Sequence, residues 1–307
     1  MSTDSSDDEV LGLLATTVAA TPPPALVGRI LASAGRARPA GQPIDALGGG
    51  RRADPAAAYI QTVGELDEVL TSVDADATIQ PYGWTAAQLM AHLLEVELYF
   101  GRQLGLWEHH VDESLENDHL AMTAAAVGAA TVDDFTELVG RWRRVSSDIG
   151  RHVGALDDAR LQQRVKFHML DSRLSTVLVV RVFEVWTHTE DLCRASRRRP
   201  PTLDAARLRL MTEAAVGAIP LGMLLAGIDR GAHTARVVLT GPGGGTWNQP
   251  LQIGLEPGDP TVTIVAGAVD FCRLAAQRIR PDDLAAEVEG PLELAADVLR
   301  GASVFAA

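Results

Sequence analysis

The sequence predicts an α+β chain in which an N-terminal antiparallel four-helix bundle precedes a small α+β domain. Apolar residues recur at threes and fours through four long segments between positions 54 and 195, the mark of amphipathic helices that bury one face against each other. After Pro201 the pattern shifts to short β-type runs separated by Gly/Pro turns. A length of 307 residues also suits two cores better than one. The expected organisation is a flexible tail over 1–52, the bundle over 53–200 and the α+β domain over 201–307.

The tail is punctuated by Ser/Asp, by Thr21-Pro22-Pro23-Pro24 and by a Gly-rich run from Gly48. It has room for one short helix, Ala25 to Ala34, which cannot bury much alone. The first long helix is predicted from Asp54 to Val73, with Ile60, Val63, Leu66, Val69, Leu70 and Val73 inward. The second begins at GWTAAQLMAHLLEVELYFGRQL. Thr85 and Gln88 form a capping box there, and Trp84 and Leu89 a hydrophobic staple. A polar connection, WEHHVDESLENDH, leads to a third helix from Thr131 to Leu156, with Asp133 and Asp134 in its first turn. A loop over Lys166–Asp171 precedes a fourth helix, capped by Ser172 or Ser175 and stopped by RRRPP. Beyond it the sequence predicts a helical segment Asp204–Ala226, broken near Pro220 and Gly222. Strands follow at Ala235–Thr240, Thr246–Ile253 and Thr261–Val265, then a helix Val269–Gln277, a strand Ala286–Glu289 and a helix Leu292–Leu299.

Composition excludes several classes of partner. A net charge of −13 is the wrong sign for nucleic acid or an anionic membrane surface. The basic residues are nearly all Arg, Lys166 being the one Lys. Cys193 and Cys272, far apart, do not make a disulfide framework and fit a reducing compartment. The acidic start MSTDSSDDEV is unlike a signal peptide, and no apolar run reaches membrane-spanning length. The expectation is a soluble, cytoplasmic protein.

The chemistry concentrates in RVFEVWTHTEDLCRA, Arg181 to Ala195. Glu184 and His188 stand four apart on one helical face among Phe183, Val185, Trp186 and Leu192. Burying such groups bare is costly, so they need partners, and a metal ion is one. His92 on the inward face of the second helix is a candidate third ligand. Two imidazoles and a carboxylate form the usual protein set of catalytic zinc, and they also suit iron, nickel or manganese. An alternative is a surface Glu184–His188 pair and a satisfied core His92. Asp191 is read either as a carboxylate behind a ligand histidine, as a group meeting substrate, or as a surface residue. Arg181 either balances Glu184 or is solvated. His109, His110 and His119 read as surface residues, Cys193 as core, and His168 as a residue near the pocket rim.

GWTAAQLMAHLLEVE and VRVFEVWTHTEDLCRA resemble the two signature segments of the mycothiol-dependent maleylpyruvate isomerase family, part of the wider DinB-like metal-binding bundles. AGAVDFCRLAAQRIRP and VEGPLELAADVL resemble that family's small sterol-carrier-protein-like domain. The resemblance covers residues 53–307 and implies a metal held by His92, Glu184 and His188. Family members often carry a Gly-Arg pair where this chain has Gln277-Arg278. Arg278 still offers a guanidinium for a substrate carboxylate, or else is a solvated helix end. Arg278 and Asp191 are thus the candidate catalytic groups.

The implied activity is metal-dependent and thiol-using, with zinc the first choice of metal and mycothiol the cosubstrate. A thiolate adds to an electrophilic carbon of an unsaturated acid; expelling it after bond rotation is isomerisation, and keeping it is S-transfer. Two other readings stand beside this one. The first is a metal-dependent hydrolase on the same bundle. The second is a non-enzymatic regulatory protein whose tail docks a protein partner, since PPPALVGRILA resembles linker segments of actinobacterial anti-sigma factors.

Overall fold

The computed structural model describes residues 54–168 and 170–305. The short helix expected at Ala25–Ala34, and the rest of the tail, lie outside the described residues. The chain forms an N-terminal helical region followed by a mixed α/β region.

The helical region contains α1 (Pro55–Leu70), α2 (Ala86–Gln103), α3 (His119–Ala129), α4 (Phe135–Gly154), the short α5 (Asp158–Leu161) and α6 (Leu174–Ala195). Two small hairpins interrupt it: β1 (Thr78–Ile79) with β2 (Trp84–Thr85), and β3 (Arg164–Phe167) with β4 (Leu170–Arg173). Helix α1 packs on α6 and on α4, and α2 packs on α3 and α4. Strands β1 and β3 each touch both α2 and α6, bridging the helices that face each other across the site. Helix α6 is buried on nearly every side, so its polar residues from Arg181 to Asp191 lie inside together with its apolar ones.

Local capping rules hold at several entrances. Thr85 and Gln88 form the expected reciprocal box at α2, and Thr131 and Asp134 form another ahead of α4. Asp54 caps α1. Helix α6 departs from expectation: its N-cap is Arg173, with no side-chain cap, because its first residue continues directly from β4 rather than leaving a free loop. The expected loop at Lys166–Asp171 belongs to that hairpin. Helix α3 was not foreseen: its Ala-rich run, HLAMTAAAVGA, has no clear apolar stripe. Ile60, expected inward, is 42% exposed, while Tyr59 and Thr62 take the buried face of α1.

The α/β region begins with α7 (Ala205–Gly217) and α8 (Ile219–Leu225), divided at Ala218 next to Pro220, as expected of a proline near a helix start. Strands β5 (Thr234–Thr240), β6 (Gly245–Pro250), β7 (Val262–Gly267) and β8 (Ala286–Glu289) form one sheet in the order β6-β5-β7-β8, with β5 and β7 parallel and the other neighbours antiparallel. Ala235, Val237, Leu239, Val262, Ile264 and Ala266 bury one face of this sheet. Helices α9 (Ala268–Ala275) and α10 (Leu292–Ala302) pack against it. Buried residues of α1, α2 and α6 share a continuous apolar cluster with those of α7, α9, α10 and the sheet.

No single described helix is long and apolar enough to cross a membrane; α7 and α8 reach that composition only as a pair, bent by 42°.

Candidate metal centre

Helix α2 supplies His92 and helix α6 supplies Glu184 and His188, all buried. Each offers one ligand atom, and these atoms lie within 4.8 Å of one another. The surface-pair alternative for Glu184 and His188 is thereby removed, and Cys193 is buried as expected.

A polar group behind each imidazole fixes what it presents in front. Thr123 on α3 lies with its hydroxyl near the carbonyls of His119 (3.0 Å) and Leu120 (3.3 Å), which can only accept. The hydroxyl therefore donates to them and accepts from His92 Nδ1–H at 2.8 Å. That leaves a lone pair on His92 Nε2, which faces Glu184 Oε1 at 3.4 Å. His188 Nδ1 makes no hydrogen bond, but it lies 3.4 Å from Asp191 Oδ2, close enough for charge to favour the proton there and leave Nε2 free. His92 Nε2, Glu184 Oε1 and His188 Nε2 all lack a hydrogen-bond partner although buried. Leaving such atoms bare costs about 1–3 kcal/mol each. Converging lone pairs with no donor between them are a donor set for a cation, and these residues fit a divalent metal.

The carboxylate is held ionised from the far side. Burial alone pushes the Glu184 carboxyl up, but the buried Arg181 guanidinium outweighs it and holds the group well below the usual range. Arg181, fully buried, donates through Nη1 to Glu184 Oε2 and through Nη2 to Glu97 Oε1 (2.9 Å). Tyr59 donates to the other Glu97 oxygen at 2.9 Å. Burial lowers the pKa of His188, keeping its imidazole neutral and fit to ligate.

Asp191 and Arg278 lie together. Asp191 accepts from Arg278 Nε at 3.0 and 3.1 Å, from Arg278 Nη2 at 2.7 Å and from Arg194 Nη1 at 3.0 Å. Arg278 also donates to the Ala276 carbonyl (3.0 Å) and to the Tyr82 hydroxyl (3.2 Å). Despite burial, the neighbouring His188 and Arg278 lower the Asp191 pKa. Gln277, ahead of this arginine, adopts φ 58, a backbone state that favours glycine. Two aromatic residues of the β1–β2 hairpin cover the cluster: Tyr82 stacks on Trp84, Trp84 packs on His92 and Tyr82 on His188.

A cavity of about 400 Å³ opens beside Glu184. Its wall combines α3, the β3–β4 turn and α6 with α8, Ala276, Val304 and Phe305. His168 lines it, in line with a position near the pocket rim, and so does His119, which was expected on the surface but is brought in by α3. Thr123, Glu97, Tyr59 and Tyr82 escaped sequence reasoning. Glu97 left one signal, a carboxylate between the buried residues Val96 and Phe100.

Residues 56–193 match the family model described as Mycothiol maleylpyruvate isomerase N-terminal domain. Among solved structures, the chain is similar to the mycothiol-dependent maleylpyruvate isomerase and to a histidine-to-alanine mutant of it. Each shows 16% sequence identity and a TM-score of 0.50, covering 77% of this chain and 94% of the other. At that identity the likeness is one of fold. No curated protein matches the chain by sequence.

Proposed function

With residues 56–193 matching the mycothiol maleylpyruvate isomerase N-terminal domain family, we propose that this chain is a metal-dependent, mycothiol-using isomerase or thiol S-transferase acting on a small electrophile in the cytoplasm. The convergence of the unpartnered atoms of His92, Glu184 and His188 carries this reading. We take residues 53–200 as a DinB-like four-helix bundle and 201–307 as a separate α+β domain, with 1–52 as a tail open to a protein partner.

In this reading His92, Glu184 and His188 hold the metal, zinc first among candidates. A divalent ion there supplies the positive charge that deprotonates a bound thiol. Thr123 and Asp191 orient the two imidazoles from behind, and Arg278 locks Asp191 in place. Arg181 keeps Glu184 ionised. The apolar cavity beside Glu184 admits the electrophile and limits water. Asp191 and Arg278 therefore serve as positioning residues, a narrower role than the substrate contact considered for them from sequence. No nucleophilic cysteine is required, in keeping with two buried thiols.

Elemental analysis of the purified full chain tests the site: one equivalent of divalent metal is expected, lost in His92→Ala and Glu184→Ala. Calorimetric titration with mycothiol tests the thiol, with saturable binding expected for the loaded protein and none for His188→Ala. Full metal content in both alanine variants would refute the ligand set, and turnover without thiol would favour the hydrolase instead.

A further inference from the structure

The cavity beside Glu184 has a charge pattern that bears on what enters it. Its lining contains two carboxylates, Asp118 and Glu184, and no Lys or Arg. The nearby cations are engaged elsewhere. Arg181 is fully buried and spends itself on Glu184 and Glu97. Arg102 and Lys166 both pair with Glu116. Arg278, 5% exposed, is tied to Asp191.

His168 adds to the pattern. Its Nδ1 lies 2.8 Å from the Glu116 carbonyl, which can only accept, so Nδ1 carries the hydrogen and Nε2 carries a lone pair. Nε2 is buried without a partner. The residue is held at φ 51, a conformation costly for a side chain with a Cβ, with its ring stacked on Tyr99. Burial pushes the His168 pKa down to about 4, so the ring stays neutral near pH 7. Apart from the Asn117 amide and the ring of His119, the lining is thus apolar surface, carboxylates and lone pairs, and an anionic oxygen enclosed there would meet no side-chain cation.

We infer that the part of the ligand enclosed by this cavity is uncharged and largely apolar, and that a dicarboxylate is disfavoured. This deepens the proposed function, on which it rests for taking the cavity as the substrate's approach to Glu184. The charge preference itself is a property of the cavity and needs no metal to be read.

The test uses two fluorescent probes of one skeleton, neutral N-phenyl-1-naphthylamine and its anionic relative 1-anilinonaphthalene-8-sulfonate. Both are titrated into the metal-stripped full-length protein at about 0.15 M salt to screen the overall negative charge. The neutral probe should bind at least about tenfold tighter. Leu225→Arg places a cation at a lining position that is 56% exposed, where folding should tolerate it, and should raise affinity for the anion. Leu221→Trp fills the cavity and should weaken the neutral probe, with circular dichroism checking that both variants fold. Equal or tighter binding of the anion by the wild type, no binding of the neutral probe, or indifference of either probe to its variant would overturn the inference. Loss of metal stoichiometry with the probe preference intact would instead refute the proposed metal centre alone.

Discussion

Arg181 is the residue on which the electrostatics of the site turn. It is buried between two carboxylates, Glu97 and Glu184, whose desolvation it offsets. Replacing it by Met should therefore cost about 3–5 kcal/mol in chemical denaturation, since two carboxylates then lie buried and unpaired. Adding Glu97→Gln to that variant should recover part of the loss. Thr123 acts more gently. Thr123→Val keeps the shape but removes the acceptor that fixes the His92 tautomer, and metal affinity should fall by about 10–100-fold in a chelator competition while the fold persists. His168 adds a pH dependence. Its pKa drops from 6.5 to about 4 on folding, chiefly through burial, so the unfolded chain takes up its proton first as pH falls. The contribution is fully present above pH 6.5 and fades as pH falls towards 4. Unfolding free energies measured at pH 7 and pH 5 should differ more in the wild type than in His168→Gln.

At the scale of elements, α2 is the one whose local sequence most directly serves the site. Its capping box sets the start of the helix and hence the register that turns His92 inward. Thr85→Ala should cost about 1 kcal/mol in denaturant unfolding. The entrance was legible because a cap depends on residues three apart. The β3–β4 hairpin was not, since the alternation in β3 spans only four residues, Arg164 to Phe167, and β4, Leu170 to Arg173, carries one apolar residue. Helix α3 stayed hidden for a similar reason, and with it the roles of Thr123 and His119. The turn before Arg278 is a further case. Gln277 occupies a left-handed conformation that costs a non-glycine residue about 1–2 kcal/mol. Gln277→Gly should accordingly leave stability unchanged or raise it slightly in thermal denaturation, with the Arg278–Asp191 pair retained.

Across the whole molecule, arginines of the α/β region grip the helical region. Arg207 forms a two-pronged pair with Glu65 on α1, Arg273 another with Glu190 on α6, and Arg278 holds Asp191 behind His188. The adjacent acids Glu190 and Asp191 thus tie the α/β region to the turn of α6 that follows His188. Sequence periodicity was sufficient for the long helices, the sheet strands and the inward placement of His92, Glu184 and His188, because each depends on a repeat within one element. It also marked Asp191 as a polar group set in apolar surroundings, and Arg181 as either a partner of Glu184 or a solvated residue. Which groups answer them is another matter: Glu97 lies 84 residues from Arg181 and Arg278 lies 87 from Asp191. Such pairings follow from how helices and loops stack, and many sequences with the same periodicity would stack differently. The cavity beside Glu184 belongs to the same class, since its wall joins α3 and α6 to Phe305 near the end of the chain. Donor chemistry was thus readable along the chain, whereas the charge balance and the shape offered to a ligand arose only when distant segments closed around α6.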